Sequence, residues 1–157
     1  MRDILITLIV LGAIPYVFSR PYIGILLWAW IGYMNPHRLS YGFAYSFPFA
    51  LIIAVVTVVS LFTSREKITF KYSPIIFLII VFIVWMNITT FFALIPDDAW
   101  IQWKKVMKIQ IMTLISYMVI TNRHQLNSLV AVIAFSIGYY GVKGGAFTIL
   151  TGGNFRV

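Results

Sequence analysis

Three lysines and two tryptophans lie close together in one segment of the chain. Trp100 and Trp103 are three positions apart, and Lys104, Lys105 and Lys108 follow within the next two helical turns. Ammonium groups at a low-dielectric boundary attract phosphate and pyrophosphate strongly, so these lysines form a candidate anion site. The same residue types also anchor helices at an interface, because lysine snorkels and tryptophan collects there. Anchoring is the interpretation that the residues alone favour.

A second candidate anion site lies near the end of the sequence. Residues 143–145 read Lys-Gly-Gly and residues 152–156 read Gly-Gly-Asn-Phe-Arg. Glycine lets backbone amides approach an anion, and the guanidinium of Arg156 can hold one through two parallel hydrogen bonds. We therefore predict a bend at each glycine pair. A flexible exit loop, with small residues for close helix packing, is the alternative that this pattern alone favours.

Residues 35–49 carry the third candidate site, which could contact a glycan. An Asn-Pro pair predicts a turn before His37 and Arg38. Aromatic residues then occupy alternate positions, at Tyr41, Phe43, Tyr45, Phe47 and Phe49. This period is typical of a strand in water, but at a membrane surface it favours an extended aromatic loop or a re-entrant segment. His37, Tyr41 and Tyr45 can stack on a sugar ring, although aromatic anchoring of the loop is the favoured alternative.

Other kinds of site find no support in the sequence. The two histidines, His37 and His124, lie in different loops, and no carboxylate stands at helical spacing from either one. No serine or threonine lies in a nucleophile motif, and the absence of cysteine excludes thiolate chemistry and disulfides. We predict no metal and no cofactor, and the catalytic residues stay unidentified.

The composition indicates an integral membrane protein. Hydrophobic residues make up 61% of the chain and charged residues 10%, against roughly half and a quarter in soluble domains. Residues 72–96 contain no Asp, Glu, Lys or Arg, and about 20 apolar residues in a helix cross a bilayer. A chain of 157 residues has no interior large enough to hide several such helices. The net charge of +8 then indicates contact with lipid headgroups, and no nucleic-acid partner.

The apolar runs predict an all-α, polytopic transmembrane helical bundle with about six crossing or re-entrant segments, forming one domain over residues 1–157. The runs are 4–18, 22–34, 47–62, 72–96, 109–120 and 126–142. The first two are short and predict a tilted or kinked hairpin. Asp97 or Asp98 is expected to cap a helix that begins near Trp100. Asn87 and Gln110, polar residues inside predicted spans, are expected to form helix–helix hydrogen bonds.

Several stretches together resemble a known family. Residues 33–39 and the terminal Gly-Gly-Asn-Phe-Arg are the most specific, and further stretches are 1–5, 20–24, 28–39, 42–45, 143–145 and 151–157. They resemble the amino-terminal region of the exosortase A-associated O-glycosylation ligases, which belong to the O-antigen ligase and polymerase superfamily. The resemblance covers essentially the whole chain.

The resemblance implies a multi-pass protein of the bacterial inner membrane. Such a ligase transfers a glycan from an undecaprenyl pyrophosphate carrier to an acceptor protein or glycan at the periplasmic face. An acceptor hydroxyl attacks the anomeric carbon while basic residues stabilise the departing pyrophosphate. Arg156 corresponds to an arginine-bearing stretch of the superfamily, whereas a role for Lys104, Lys105, Lys108 or Arg38 is inferred from charge. Family members are more than twice as long, so this chain is expected to be an inactive amino-terminal part whose catalytic residues lie beyond Val157.

The topology and the function class each keep alternatives. If Arg156 faces the periplasm, loop parity places residues 35–49 and 104–108 on that face and residues 65–67 and Arg123 in the cytoplasm. The amino terminus then lies outside, or the first two runs make one irregular crossing.

A small polytopic transporter subunit and a noncatalytic membrane assembly protein are the alternative functions. A transporter is expected to show repeats or broken helices with an ionisable residue at mid-membrane, and the sequence shows none.

Overall fold

The computed structural model describes residues 2–40, 42–64 and 72–152, and every regular element in these ranges is helical. The all-α prediction is therefore confirmed for this part of the chain. The six α-helices are α1 (Arg2–Ser19), α2 (Pro21–Met34), α3 (Phe49–Thr63), α4 (Pro74–Phe91), α5 (Pro96–Val119) and α6 (Arg123–Thr151). Two short 3₁₀ turns, Pro36–Leu39 and Phe43–Tyr45, lie between α2 and α3.

Two of the described helices are long and apolar enough to cross a membrane. They are α4, with a mean hydropathy of 2.3, and α6, with a mean hydropathy of 1.4. Only 11% of the α4 span and 6% of the α6 span is buried, unlike the core helix of a soluble protein. Helices α1, α2 and α3 are apolar but shorter. Six membrane crossings therefore stay a prediction.

The chain divides into two compact units. Unit 1 comprises Met1–Glu66 and Asn122–Val157, and unit 2 comprises Lys67–Thr121. In unit 1, α2 packs against α3 and α6, while α1 packs against α2 and α3. In unit 2, α4 packs against α5. A single transmembrane domain over residues 1–157 stays a prediction.

The core of unit 1 lies where α1, α2 and α3 meet. Its buried residues are Ile6, Val10, Ile31, Ala44, Phe49 and Ile53. Close approach of α2 and α3 depends on Gly24, since a Cβ there would overlap the Thr57 side chain and lie 2.9 Å from Cγ1 of Val17. Thr57 is fully buried, and its hydroxyl donates to the Ile53 carbonyl of the same helix at 2.7 Å. Tight packing is thus possible because α2 has a small residue at the contact and the buried hydroxyl of α3 is hydrogen-bonded within its own helix.

Local sequence explains three of the helix ends. Asn35 ends α2 in the left-handed region, with φ 48° and ψ 45°, and its N–H donates to the Ile31 carbonyl. Ser73 caps α4 by accepting from the Ile75 N–H at 3.3 Å, and Pro74 supplies the preset φ of the first turn. Gly152 ends α6 with φ 62°, a conformation that glycine adopts without strain.

The predicted bend at residues 143–145 is wrong, because α6 runs through both glycines to Thr151. Glycine permits a bend without enforcing one, and its cost of about 1 kcal/mol in a helix is modest. The apolar residues on both sides continue the helix at that cost. At the second predicted bend, Gly152 ends α6 in the left-handed conformation, and Gly153 lies outside the described residues.

The predicted start of α5 is also wrong, since the helix begins at Pro96 and neither Asp97 nor Asp98 is the capping residue. Proline suits the first helical position because its missing N–H would have no partner there. Both aspartates lie in the first turn, where their negative charge is favourable beside the positive end of the helix dipole.

Candidate functional site

The aromatic loop (residues 35–49) leaves α2 at the left-handed Asn35 and returns to α3. Two 3₁₀ turns replace the extended conformation that alternating aromatics predicted. The Arg38 guanidinium carbon lies 4.8 Å from the centroid of the Tyr45 ring, within the range of a cation–π interaction. Both side chains are exposed. The loop therefore presents a cation and an aromatic face together, two of the groups that the sequence predicted for this site.

His37 lies on the inner side of the same loop. Its ring centroid is 6.1 Å from that of the buried Phe49, and the Phe47 ring lies 4.7 Å from Phe49. Burial lowers the pKa of His37, and the neighbouring positive charge of Arg38 lowers this pKa further. Its Nδ1 atom is buried without a hydrogen-bond partner among the described residues. His37 is therefore partly buried against Phe49, and its environment favours the neutral form, while the Arg38 side chain is exposed.

Asp3, which sequence reasoning did not select, supports this loop from the start of α1. Its Oδ1 accepts the Ala44 N–H at 3.3 Å, and a Cβ added at Gly42 would lie 2.8 Å from the same oxygen. The buried Ser40 hydroxyl donates to the His37 carbonyl at 2.7 Å. An acidic residue at the first turn of an otherwise apolar helix was the sequence signal for this role. Only glycine fits at position 42 without displacing the carboxylate.

An apolar cavity of about 360 Å³ adjoins the aromatic loop within unit 1. Residues from α1, α2, the first 3₁₀ turn and α6 line it, including Leu5, Trp30, Met34, Leu39 and Tyr139. The Tyr140 hydroxyl donates to the Met34 carbonyl and so ties α6 to the end of α2. The cavity is large enough for part of a hydrocarbon chain, and its lining matches that chemistry. Neither the cavity nor Tyr140 was predicted from the sequence.

The lysine and tryptophan cluster belongs to unit 2. Trp100 and Trp103 pack edge to face, with centroids 5.1 Å apart, and Lys104, Lys105 and Lys108 are exposed. The Trp103 indole N–H donates to Oδ1 of Asn87 at 3.0 Å and so joins α5 to α4. The helix–helix hydrogen bond expected at Asn87 is thereby confirmed, whereas the one expected at Gln110 stays a prediction. Because Arg38 belongs to unit 1, a shared site with these lysines also stays a prediction.

Two predicted site residues, Arg156 and Tyr41, lie outside the described residues. Among those described, no group of three or more His, Asp and Glu side chains could hold a metal ion. The described residues of the predicted sites are therefore His37, Arg38 and Tyr45 in unit 1 and, in unit 2, Trp100, Trp103 and the three exposed lysines.

The fold and site together define an all-helical protein with two candidate membrane spans and a basic, aromatic loop beside an apolar cavity. The chain belongs to the family described as a family of unknown function (DUF5935), which matches residues 1–157. No curated protein and no solved structure shows a significant match to the chain.

Proposed function

We propose that this chain is the amino-terminal membrane region of a bacterial O-oligosaccharide ligase of the O-antigen type, which binds an undecaprenyl pyrophosphate-linked glycan. In this proposal the protein is a multi-pass protein of the inner membrane. The aromatic loop faces the periplasm, and an acceptor protein or glycan approaches from that side. The sequence resemblance suggests the reaction, and the geometry of the aromatic loop supports a lipid-linked anion as the ligand.

The observation that carries the proposal is the position of Arg38. Its guanidinium lies over Tyr45, and the apolar cavity includes Leu39, the next residue in the chain. A lipid-linked pyrophosphate needs a cation for the phosphates, an apolar surface for the prenyl chain, and often an aromatic ring for the sugar. All three kinds of surface occur around one loop of unit 1.

Arg38 is free to bind an external anion in the described part of unit 1. Asp3 is the one acidic residue there, and its carboxylate accepts from the Ala44 backbone. The Arg38 side chain is exposed and stacked on Tyr45, so its planar fork can face a phosphate. Lys104, Lys105 and Lys108 of unit 2 are exposed as well, and their role in anion binding stays a prediction.

A direct test measures binding of a short-chain prenyl pyrophosphate-linked oligosaccharide to the purified chain in detergent micelles. Arg38→Gln is expected to weaken binding about tenfold or more, because a charge-assisted bidentate contact is lost. Arg123→Gln is the matched control. It removes the same charge from the exposed first residue of α6, which lines neither cavity, and is expected to leave binding within about twofold.

Unchanged binding by Arg38→Gln would contradict the proposed site. If the chain does not bind the lipid-linked glycan at all, the result would instead favour the noncatalytic membrane assembly protein.

The reaction is tested in the longest natural protein that contains this chain. Arg156→Ala, chosen from the resemblance, is expected to reduce glycan transfer there, and unchanged transfer would remove Arg156 from the site.

A further inference from the structure

A second cavity in unit 1 has a different chemical character from the apolar one. It measures about 350 Å³ and is lined by Arg20, Tyr22, Asn122, His124 and Gln125. Arg20 is the single residue between α1 and α2, and Asn122 immediately precedes α6. This basic cavity therefore lies where the link between α1 and α2 meets the start of α6. The proposed glycan site does not use any of its residues.

Backbone hydrogen bonds fix the walls of the basic cavity. The Arg20 N–H donates to the Tyr16 carbonyl at 2.9 Å, and the Arg20 carbonyl accepts the Ile23 N–H at 3.0 Å. On the other wall, the Asn122 side chain accepts the Gln125 N–H at 2.9 Å and caps α6. The main chains are thus held in place, while the exposed Arg20 and His124 side chains can meet a ligand.

The charge and donor set of the basic cavity suit a phosphate group. None of its lining residues is acidic. The guanidinium of Arg20 offers paired N–H donors that match two phosphate oxygens, and His124 and Tyr22 supply further donors. Asp3, the acidic residue in the described part of unit 1, lies at the opposite end of α1. No described carboxylate of unit 1 therefore competes for the cavity.

We propose that the basic cavity binds the phosphate of an anionic lipid headgroup. Apolar helices begin or end at its lining residues, as expected of a site at the membrane surface. Its volume fits a phosphodiester with its glycerol, and the arginine distinguishes an anionic headgroup from a zwitterionic one. The site is separate from the aromatic loop, because α1 and α2 each run from one to the other.

The two histidines of the chain allow a test on the unaltered protein. The imidazole NMR signals of His37 and His124 are followed as short-chain phosphatidylglycerol is titrated into the chain in neutral detergent micelles. We expect the His124 signal to move in a saturable manner and the His37 signal to stay in place. A His124 signal that moves no more than that of His37 would overturn the proposal.

Single substitutions distinguish a specific binding site from general electrostatic attraction of the lipid to the protein surface. Arg20→Gln is expected to weaken phosphatidylglycerol binding about tenfold. Arg123→Gln removes an equal charge from the neighbouring first residue of α6, which does not line the cavity, and is expected to change binding by less than about twofold. Equal losses in the two variants would overturn the proposal in favour of general surface charge.

Further titrations with phosphatidylcholine and with inorganic phosphate identify the source of the phosphate. Saturable binding of phosphatidylglycerol, with little response to phosphatidylcholine, supports the lipid. Binding of inorganic phosphate with equal strength would overturn the lipid assignment and indicate a soluble phosphate ligand. Arg38→Gln is expected to leave the saturable shift of the His124 signal unchanged, so failure of this site and failure of the proposed glycan site are distinguishable.

Discussion

Helices α2 and α4 use apolar residues in opposite ways. Helix α2 is shorter than a candidate membrane-spanning helix. Two of its residues are nonetheless buried inside the protein, since Ile25 is 1% exposed and Ile31 is 0% exposed. Helix α4 has a mean hydropathy of 2.3 and a full membrane-crossing length, but most of its residues are exposed. A high hydropathy therefore indicates that a helix can be surrounded by lipid. Burial inside the protein depends instead on small residues and on neighbouring helices of complementary shape. The α4 surface fits lipid chains, and the surface of α2 fits other helices.

The largest expected effect on stability is in the packed core of unit 1, and it is compared with the effect of the same change on the exposed apolar surface of α4. Phe49→Ala is expected to lower the free energy of unfolding of unit 1 by about 3 to 5 kcal/mol, because it leaves a cavity at a residue that is 2% exposed. Phe82→Ala removes the same ring from α4, where it is 50% exposed, and is expected to cost less. Denaturant titration in micelles measures both. Equal losses would mean that α4 is packed as tightly as the core.

A smaller effect with opposite signs is expected at two glycines. Gly24→Ala places a methyl group against Thr57 and Val17, and we expect it to destabilise the chain by about 1 to 3 kcal/mol through overpacking. Gly12→Ala meets no atom within 4 Å and is expected to stabilise α1 by up to about 1 kcal/mol. Thermal unfolding of both variants in the same detergent gives the comparison. A neutral Gly24→Ala would show that α2 and α3 are not in close contact there.

The smallest expected effect is the pH dependence at the aromatic loop. Burial and the Arg38 charge lower the pKa of His37 below its ordinary 6.5, so the unfolded chain binds more protons than the folded chain as the pH falls below that value. Stability is therefore complete above pH 6.5 and declines as the pH falls towards the lower, folded-state pKa. Unfolding measured across this window should show a decline that His37→Gln abolishes. A wild-type curve parallel to that of His37→Gln would contradict the burial of this imidazole.

Local sequence predicted the helices better than their ends. An uninterrupted apolar run made α4 predictable, and the Asn-Pro pair marked the end of α2. The continuation of α6 through residues 143–145 was not predictable from glycine alone, because glycine permits both a bend and a helix. The start of α5 at Pro96 was missed because Asp97 and Asp98 are good capping residues as well as good first-turn residues.

The candidate site was predicted as a set of residues and not as a geometry. Sequence placed His37, Arg38 and Tyr45 in one loop, but the stacking of Arg38 on Tyr45 and the partial burial of His37 depend on tertiary contacts. The loop conformation in turn depends on Asp3, which is distant in sequence from Ala44. The two cavities arise only when α6 returns to α2, and no local pattern encodes that contact.

The central claim is that lipid chains surround α4, and collision measurements on a spin label test it most directly. The natural sequence has no cysteine, so Leu78→Cys places a single nitroxide on α4, where Leu78 is 63% exposed. Lys105→Cys, in the exposed lysine cluster of α5, is the control. In liposomes we expect the label at position 78 to collide often with oxygen and rarely with a water-soluble nickel chelate. Frequent collisions with the nickel chelate, or rare collisions with both reagents, would contradict a lipid-facing α4.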